Sequence, residues 1–179
     1  MKTKKTVLLI DDTNFQAQAR GKGKKADYLK LRDHLVSHPE GGPLAEAMVY
    51  VGRPPNIEEY RACREEKDRF VWWLRIQGFL VHTQTGKTNP NGRYTENCGM
   101  LLAVDSLGVV LKTQPDAVIL VSGDSEFCPL FRRFRQAGIR TVVASTLSDL
   151  GYDLQAFANA TIPLNKLVET FEDEAGEKS

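Results

Sequence analysis

Two hydrophobic runs in this 179-residue chain end in acids. Thr6 to Ile10 leads into Asp11, Asp12 and Asn14, and Ala117 to Val121 leads through Ser122 and Gly123 into Asp124, Ser125 and Glu126. Carboxylates that face one another repel and are costly to ionise together, so a bare acid cluster at strand ends points to a divalent cation. Oxygen donors without a neighbouring histidine or cysteine suit Mg2+ or Mn2+. Such an ion polarises a phosphodiester, activates water and holds charge on the leaving oxygen, which makes a metal-dependent phosphodiesterase the sharp reading. The same residue types have a humbler use. Asp124 or Ser125 also fits as a cap for the helix that follows, and an Asx turn accounts for Asn14 as readily as a ligand-orienting amide does. Asp105 lies inside an apolar helical pattern, where an unpaired carboxylate costs several kcal/mol. It needs a hydrogen-bonding partner or a place in the same crevice.

For these acids to meet, the two runs must be neighbouring strands in a sheet whose carboxyl edge forms a crevice. The rest of the chain has the rhythm of such a sheet, with apolar runs separated by helix-length segments. Strands are expected at Thr6 to Ile10, Ala47 to Val51, Phe79 to Gln84, Ala117 to Val121 and Ile139 to Ala144, with Thr161 to Leu164 following the last helix. Helices are expected at Lys25 to Val36, at Asn56 to Gln77 with Asn56 as N-cap, at Glu96 to Leu111, at Ser125 to Ala137 and at about Asp149 to Ala158. The run Ala117 to Val121 is apolar at every position and belongs mid-sheet, whereas the near-continuous apolarity of Glu96 to Leu111 predicts a buried helix. Gly86 to Arg93 reads as a turn-rich loop. If the middle section winds out to one side and the chain returns across it, the first and fourth strands pair and their acids share one mouth.

Composition bounds the alternatives. A chain of this length with 41% apolar and 26% charged residues makes one α/β domain without help from disulfides. Its apolar runs are too short to span a bilayer, and the Met1 to Ile10 start lacks a signal-peptide cleavage site. Cys63, Cys98 and Cys128 are widely spaced and odd in number, so no zinc pattern is formed and a reducing cytoplasm is expected. A net charge of +1 excludes a strongly cationic nucleic-acid binder but not a local basic patch. Residues 169–179 hold five acids against one lysine, so a flexible acidic tail is expected after a domain at 1–168. The motif Gly21, Lys22, Gly23 lacks the strand-turn-helix context of a dinucleotide site, and Phe127 takes the place of a nucleophile elbow's second glycine. A receiver domain lacks its acid after the third strand, and a dehalogenase-like phosphatase lacks alternating acids.

The segments Leu8 to Phe15, Leu102 to Asp105 and especially Asp116 to Phe127, with Pro129 and Leu130, resemble NYN domains of the LabA-like (DUF88) group, relatives of PIN-domain nucleases. The resemblance runs from about Val7 to Leu164. It implies a three-layer, Rossmann-like α/β fold with a parallel sheet of about five strands in the order 3-2-1-4-5, an acidic Mg2+ (or Mn2+) site and cleavage of RNA. By this likeness Asp11, Asn14, Asp124 and Glu126 are the catalytic set, and Asp11, Asp124 and Glu126 bind the metal, with Asp12 and Asp105 as further candidates. Glu126 stands where the family usually has aspartate, and Asp12 where it has glycine. The family's lysine, glycine, valine, aspartate run corresponds here to Glu96, Asn97, Cys98 and Gly99, so Gly99 replaces an acid that many members contribute. Asp105 lies six residues further on, about 240° round the helix.

A nuclease also needs phosphate contacts. Candidates are Lys22, Lys24, Lys25 and Arg20 after the first strand, Lys87 and Arg93 after the third, and Arg132, Arg133 and Arg135 on a helix, with Tyr94 as a stacking ring for single-stranded RNA. A solvated charged face explains the helix arginines equally well. Two functions stay open on these residues: a metal-dependent ribonuclease, or an NYN-fold regulator with weakened chemistry that binds RNA or protein. A homo-oligomer stays open too.

Overall fold

A computed structural model describes residues 5–91, 93–96 and 98–174. Strand β1 is Thr6–Asp11, followed by helices α1 (Asp12–Arg20) and α2 (Tyr28–Ser37). Strand β2 (Leu44–Arg53), a 3-10 turn at Glu58–Tyr60 and helix α3 (Arg61–Ile76) lead to β3 (Leu80–Thr85). The hairpin strands β4 (Lys87–Thr88) and β5 (Tyr94–Thr95) precede α4 (Cys98–Thr113), β6 (Ala117–Val121) and a 3-10 turn at Ser125–Phe127 that runs into α5 (Cys128–Gln136). The chain continues through β7 (Arg140–Ser145), α6 (Tyr152–Phe157), β8 (Ala160–Pro163) and α7 (Asn165–Glu169).

Six strands form one parallel sheet in the order β3-β2-β1-β6-β7-β8, and β4 and β5 pair separately. The expected order is thereby met with one strand more than the five anticipated. Ala160–Pro163 adds to β7 as an edge strand, burying only Ile162. Thr6 to Ile10 pairs directly with Ala117 to Val121, so the two acid-bearing strand ends lie side by side.

The alternation of β1 sorts the core into two layers. Leu8 and Ile10 face one cluster with Phe15, Tyr28, Leu31 and Leu74, while Val7 and Leu9 face another with Leu102, Phe131 and Phe134. Asp11 follows Leu9 in this alternation and therefore faces the α4–α5 side. Asp12 opens α1, with Asp11 as its N-cap. This helix was not expected from the sequence. Its apolar content is slight, but Phe15 is fully buried edge-on to Tyr28 at 5.2 Å and Phe171 at 6.1 Å. Full burial of such a ring is worth roughly 1.5–3 kcal/mol, enough to anchor a short polar helix.

Other expectations need correction. Asn56 caps nothing, because the 3-10 turn intervenes before α3. The turn-rich 86–93 loop is bounded by a hairpin, with the Asn89 side chain accepting from the amides of Asn91 and Arg93. Helix α4 buries one stripe only: Cys98, Leu102, Ser106 and Val110 face the sheet, whereas Met100 and Val104 are 59% and 65% exposed. Apolar composition marked its whole surface as core, but a helix on the outside of a three-layer fold has one face to bury. The chain past Glu169 also packs: Phe171 is 3% exposed and Asp173 bridges to Lys24. A single aromatic outweighs the surrounding acids. The remainder of the expected tail, 175–179, lies outside the described residues.

Candidate active site at the carboxyl edge of the sheet

Asp11 ends β1 as a carboxylate only 8% exposed. Its Oδ1 accepts from the Asn14 amide at 3.3 Å, and its Oδ2 accepts from the Ser122 hydroxyl at 3.1 Å. Burial pushes its pKa from 3.8 up to about 6; those two hydrogen bonds pull it down, and the charges of Asp12 and Asp124 push it up again. Asp124 follows β6, and its Oδ1 accepts from the Glu126 amide at 2.9 Å while its own amide donates to Ser122 Oγ at 3.2 Å. Both aspartates thus cap the turns after their strands and still sit close enough to repel. Capping and charge convergence coexist because a carboxylate has two oxygens.

Asn14 ties the two strand ends together. Its Oδ1 accepts from the Gly123 amide at 3.0 Å and from Gln18 Nε2 at 2.6 Å, and Gln18 Oε1 in turn accepts from the Thr146 amide at 2.8 Å. The Gly123 position tolerates no side chain, since a Cβ there would lie 1.9 Å from the Asp149 carbonyl oxygen. Glu126 is exposed.

The remaining candidates separate. Asp12, 1% exposed, turns to the opposite side of β1, where Lys67 Nζ lies 3.1 Å away and the Tyr28 hydroxyl and Gln16 amide donate to it. Asp105 accepts from the Tyr50 hydroxyl at 2.7 Å and lies 3.5 Å from His82 Nδ1, so a hydrogen-bonding network supplies the partner it required. Lys22, Lys25, Lys87 and Arg93 are exposed, and Lys24 is half-buried in an ion pair with Asp173 at 2.6 Å. Tyr94 stands edge-on to Tyr60 at 5.0 Å.

One acid was missed as a site residue. Glu96 folds back from the hairpin so that its carboxyl occupies the space where a Gly52 Cβ would be, and its Oε1 accepts from Thr13 Oγ1 at 3.3 Å. Gly52 follows Tyr50 by two on β2, and Tyr50 is the register partner of Asp11, so Glu96 lies on the same face of the sheet as Asp11. Its Oε2 is buried without a partner among the described residues. Burial raises its pKa; Thr13 and Lys67 lower it, and Asp12 raises it. Burial pushes the Cys98 thiol up to about 12, the charges of Glu96, Asp11 and Asp12 push the same way, and a hydrogen bond with the Gln84 backbone pulls it down. The signal was Gly52 itself, a glycine inside a strand, which marks a close approach.

Among the described residues, no three Asp, Glu, His or Cys side chains converge as a metal-holding group. The donor chemistry that is present is a carboxylate pair, Asp11 and Asp124, in which Asp11 is kept from ionising freely by burial and by its neighbours. Mg2+ commonly binds through one or two carboxylates and retains several waters, so this pair fits such an ion and does not fit an all-protein cage.

The geometry has a family attached to it. The NYN domain model matches residues 5–165. The chain belongs to the NYN domain family. NYN domains are related to PIN-like nucleases, with which the parallel sheet and its flanking helices agree. Among solved structures, this NYN domain resembles a protein of unknown function from Vibrio parahaemolyticus at a TM-score of 0.71 and 21% identity, covering 91% of this chain and 94% of that one. That likeness shows the fold alone. MurG from Acinetobacter baumannii matches at a TM-score of 0.42 and 15% identity over 88% of this chain and 40% of that one, too distant to carry an argument. No curated protein matches. No helix among the described residues is long and apolar enough to cross a membrane.

Proposed function

We propose that this NYN domain is a Mg2+- or Mn2+-dependent ribonuclease that cleaves single-stranded RNA at the paired ends of β1 and β6. The observation that carries the reading is the Asp11 carboxylate, buried at a strand end beside Asp124 from a sequence-distant strand and pushed up to about 6. Asp11 and Asp124 would hold the ion, which when bound supplies Lewis-acid polarisation of the phosphodiester and an acidified water. Asp11 must shed its proton for this, while Asn14 fixes the spacing of the two strand ends through the Gly123 amide. Glu126, exposed at the rim, would take the proton released by the attacking water. Glu96, whose buried Oε2 has no partner among the described residues, would serve as the proton donor to the leaving oxygen. Lys22, Lys24, Lys25, Lys87 and Arg93 contact RNA phosphates. The three cysteines are free, in keeping with a reducing cytoplasm as the working place.

The test is cleavage of a labelled single-stranded RNA by the wild type and by Asp124→Asn, each with Mg2+, Mn2+ or EDTA. Cleavage that needs the metal and falls at least about a hundredfold in the variant supports the reading; unchanged cleavage in Asp124→Asn overturns it.

The second reading, an NYN regulator with weakened chemistry, is favoured by Gly99, which leaves the first turn of α4 without an acid beside Phe127. RNA binding without metal-stimulated turnover would select it. A Cβ at Gly99 would meet only Phe127 Cζ at 3.6 Å, so Gly99→Asp can be introduced without a clash and turnover gained in that variant would show the rest of the site competent.

A further inference from the structure

A cleft of about 390 Å3 opens on the far side of β1 from the Asp11–Asp124 pair, between α1, the 21–27 loop, α3 and the hairpin. We propose that it is a subsite for one nucleotide unit of single-stranded RNA, with the phosphate on Arg20 and Lys25 and the base against Tyr94. The proposal deepens the ribonuclease reading and rests on it for the choice of RNA as ligand.

Four cations line the cleft, Arg20, Lys24, Lys25 and Lys67, against two acids, Glu66 and Glu174. Lys67 is committed to the floor: it pairs with Asp12 at 3.1 Å and lies 5.3 Å over the Phe70 ring. Arg20 and Lys25 have no acid partner among the described residues and are exposed, so their charges are available to an incoming anion. Tyr94 is fixed rather than free, packed edge-on to Tyr60 and against Gly86, where a Cβ would come within 2.8 Å of its ring. A fixed ring beside unpaired cations suits an unstacked base with its phosphate, the way single strands are bound without regard to sequence.

The rim already holds anions. The Lys25 amide donates to the Glu172 carbonyl and the Glu174 amide to the Gly23 carbonyl, each at 2.9 Å, so an acidic segment runs antiparallel to residues 23–25 with Asp173 on Lys24. The cleft is joined to the reaction site round the end of β1, because Asp12 follows Asp11 in the chain and its carboxylate accepts from Lys67 and Tyr28, both cleft residues. A strand crossing the carboxyl edge of the sheet would place one nucleotide here while its neighbour reaches Asp11.

The experiment is fluorescence anisotropy of a labelled oligouridylate about 8 nucleotides long, titrated with protein in EDTA over a range of salt. The wild type should bind, Arg20→Ala and Lys25→Ala should each weaken binding and lower the log–log salt slope by about 0.7, and Tyr94→Ala should weaken it about fivefold or more. Lys112→Ala, exposed in the last turn of α4, should change nothing. Unchanged affinity and slope in the Arg20→Ala/Lys25→Ala double variant, or no binding by the wild type, overturns the proposal. The two failures are distinguishable: metal-dependent cleavage with binding indifferent to the double variant removes the cleft and leaves the nuclease, whereas cleft-dependent binding without cleavage removes the nuclease and leaves the cleft.

Discussion

Asp11 and Asp12 are consecutive, yet their carboxylates serve opposite sides of the sheet: Asp11 accepts from Ser122 beside Asp124, and Asp12 is bound by Lys67 and Tyr28. One acid is held at an electrostatic cost and the other is neutralised by a cation, so their removal should have opposite effects on stability.

For Asp11 the sign follows from its pKa. Below about 3.8 the group is protonated in both folded and unfolded chains; as pH rises towards 6 the unfolded chain releases its proton first, and stability falls. Above that window the loss is complete and on the order of 3 kcal/mol. Asp11→Asn should therefore be more stable than the wild type by about 1–3 kcal/mol at pH 7.5, with the gap closing towards pH 4, in urea titrations at both pH values without metal.

Asp12→Ala should do the reverse. It leaves Lys67 and the fully buried Tyr28 hydroxyl without their acceptor, and unfolding titrations should show a loss of about 2–4 kcal/mol.

The sequence made the strand-end pair legible because two apolar runs of strand length each stopped at an acid, and the resemblance to NYN domains supplied the strand order in which β1 pairs with β6. Helix α1 was illegible because Asp12, Thr13 and Asn14 read as turn residues, and its hold on the core comes from Phe15 meeting Phe171 across the length of the chain. Glu96 was passed over because it reads as the first residue of a helix, and only the folded chain, with a hairpin ending at Thr95, brings it onto Gly52. Strand alternation already set Asp12 opposite to Asp11, but its partner Lys67 on the distant α3 was not legible.

Gly52 gives a way to move Glu96 without mutating it. A Cβ at Gly52 would fall 1.7 Å from the Glu96 carboxyl carbon, the mobile end of a flexible side chain, so Gly52→Ala should displace the carboxylate with little loss of stability. Gly52→Ala and Glu96→Gln should lower RNA cleavage to a similar extent, roughly 10–100-fold in kcat, as expected when a proton donor is misplaced. Melting temperatures measured alongside the rates separate this from unfolding.

The C-terminal packing makes its own prediction. Phe171 fills the layer beside Phe15, and Phe171→Ala should cost about 3–5 kcal/mol in unfolding experiments, whereas Glu172→Ala, with an exposed side chain, should cost under about 0.5 kcal/mol.

The most direct measurement is an anomalous-difference map from crystals of the wild-type protein soaked in Mn2+ above pH 7. A peak about 2.0–2.2 Å from carboxylate oxygens of both Asp11 and Asp124, absent in Asp11→Asn crystals, is the expected result. A map with no peak between these two side chains, or one unchanged by Asp11→Asn, would contradict the account.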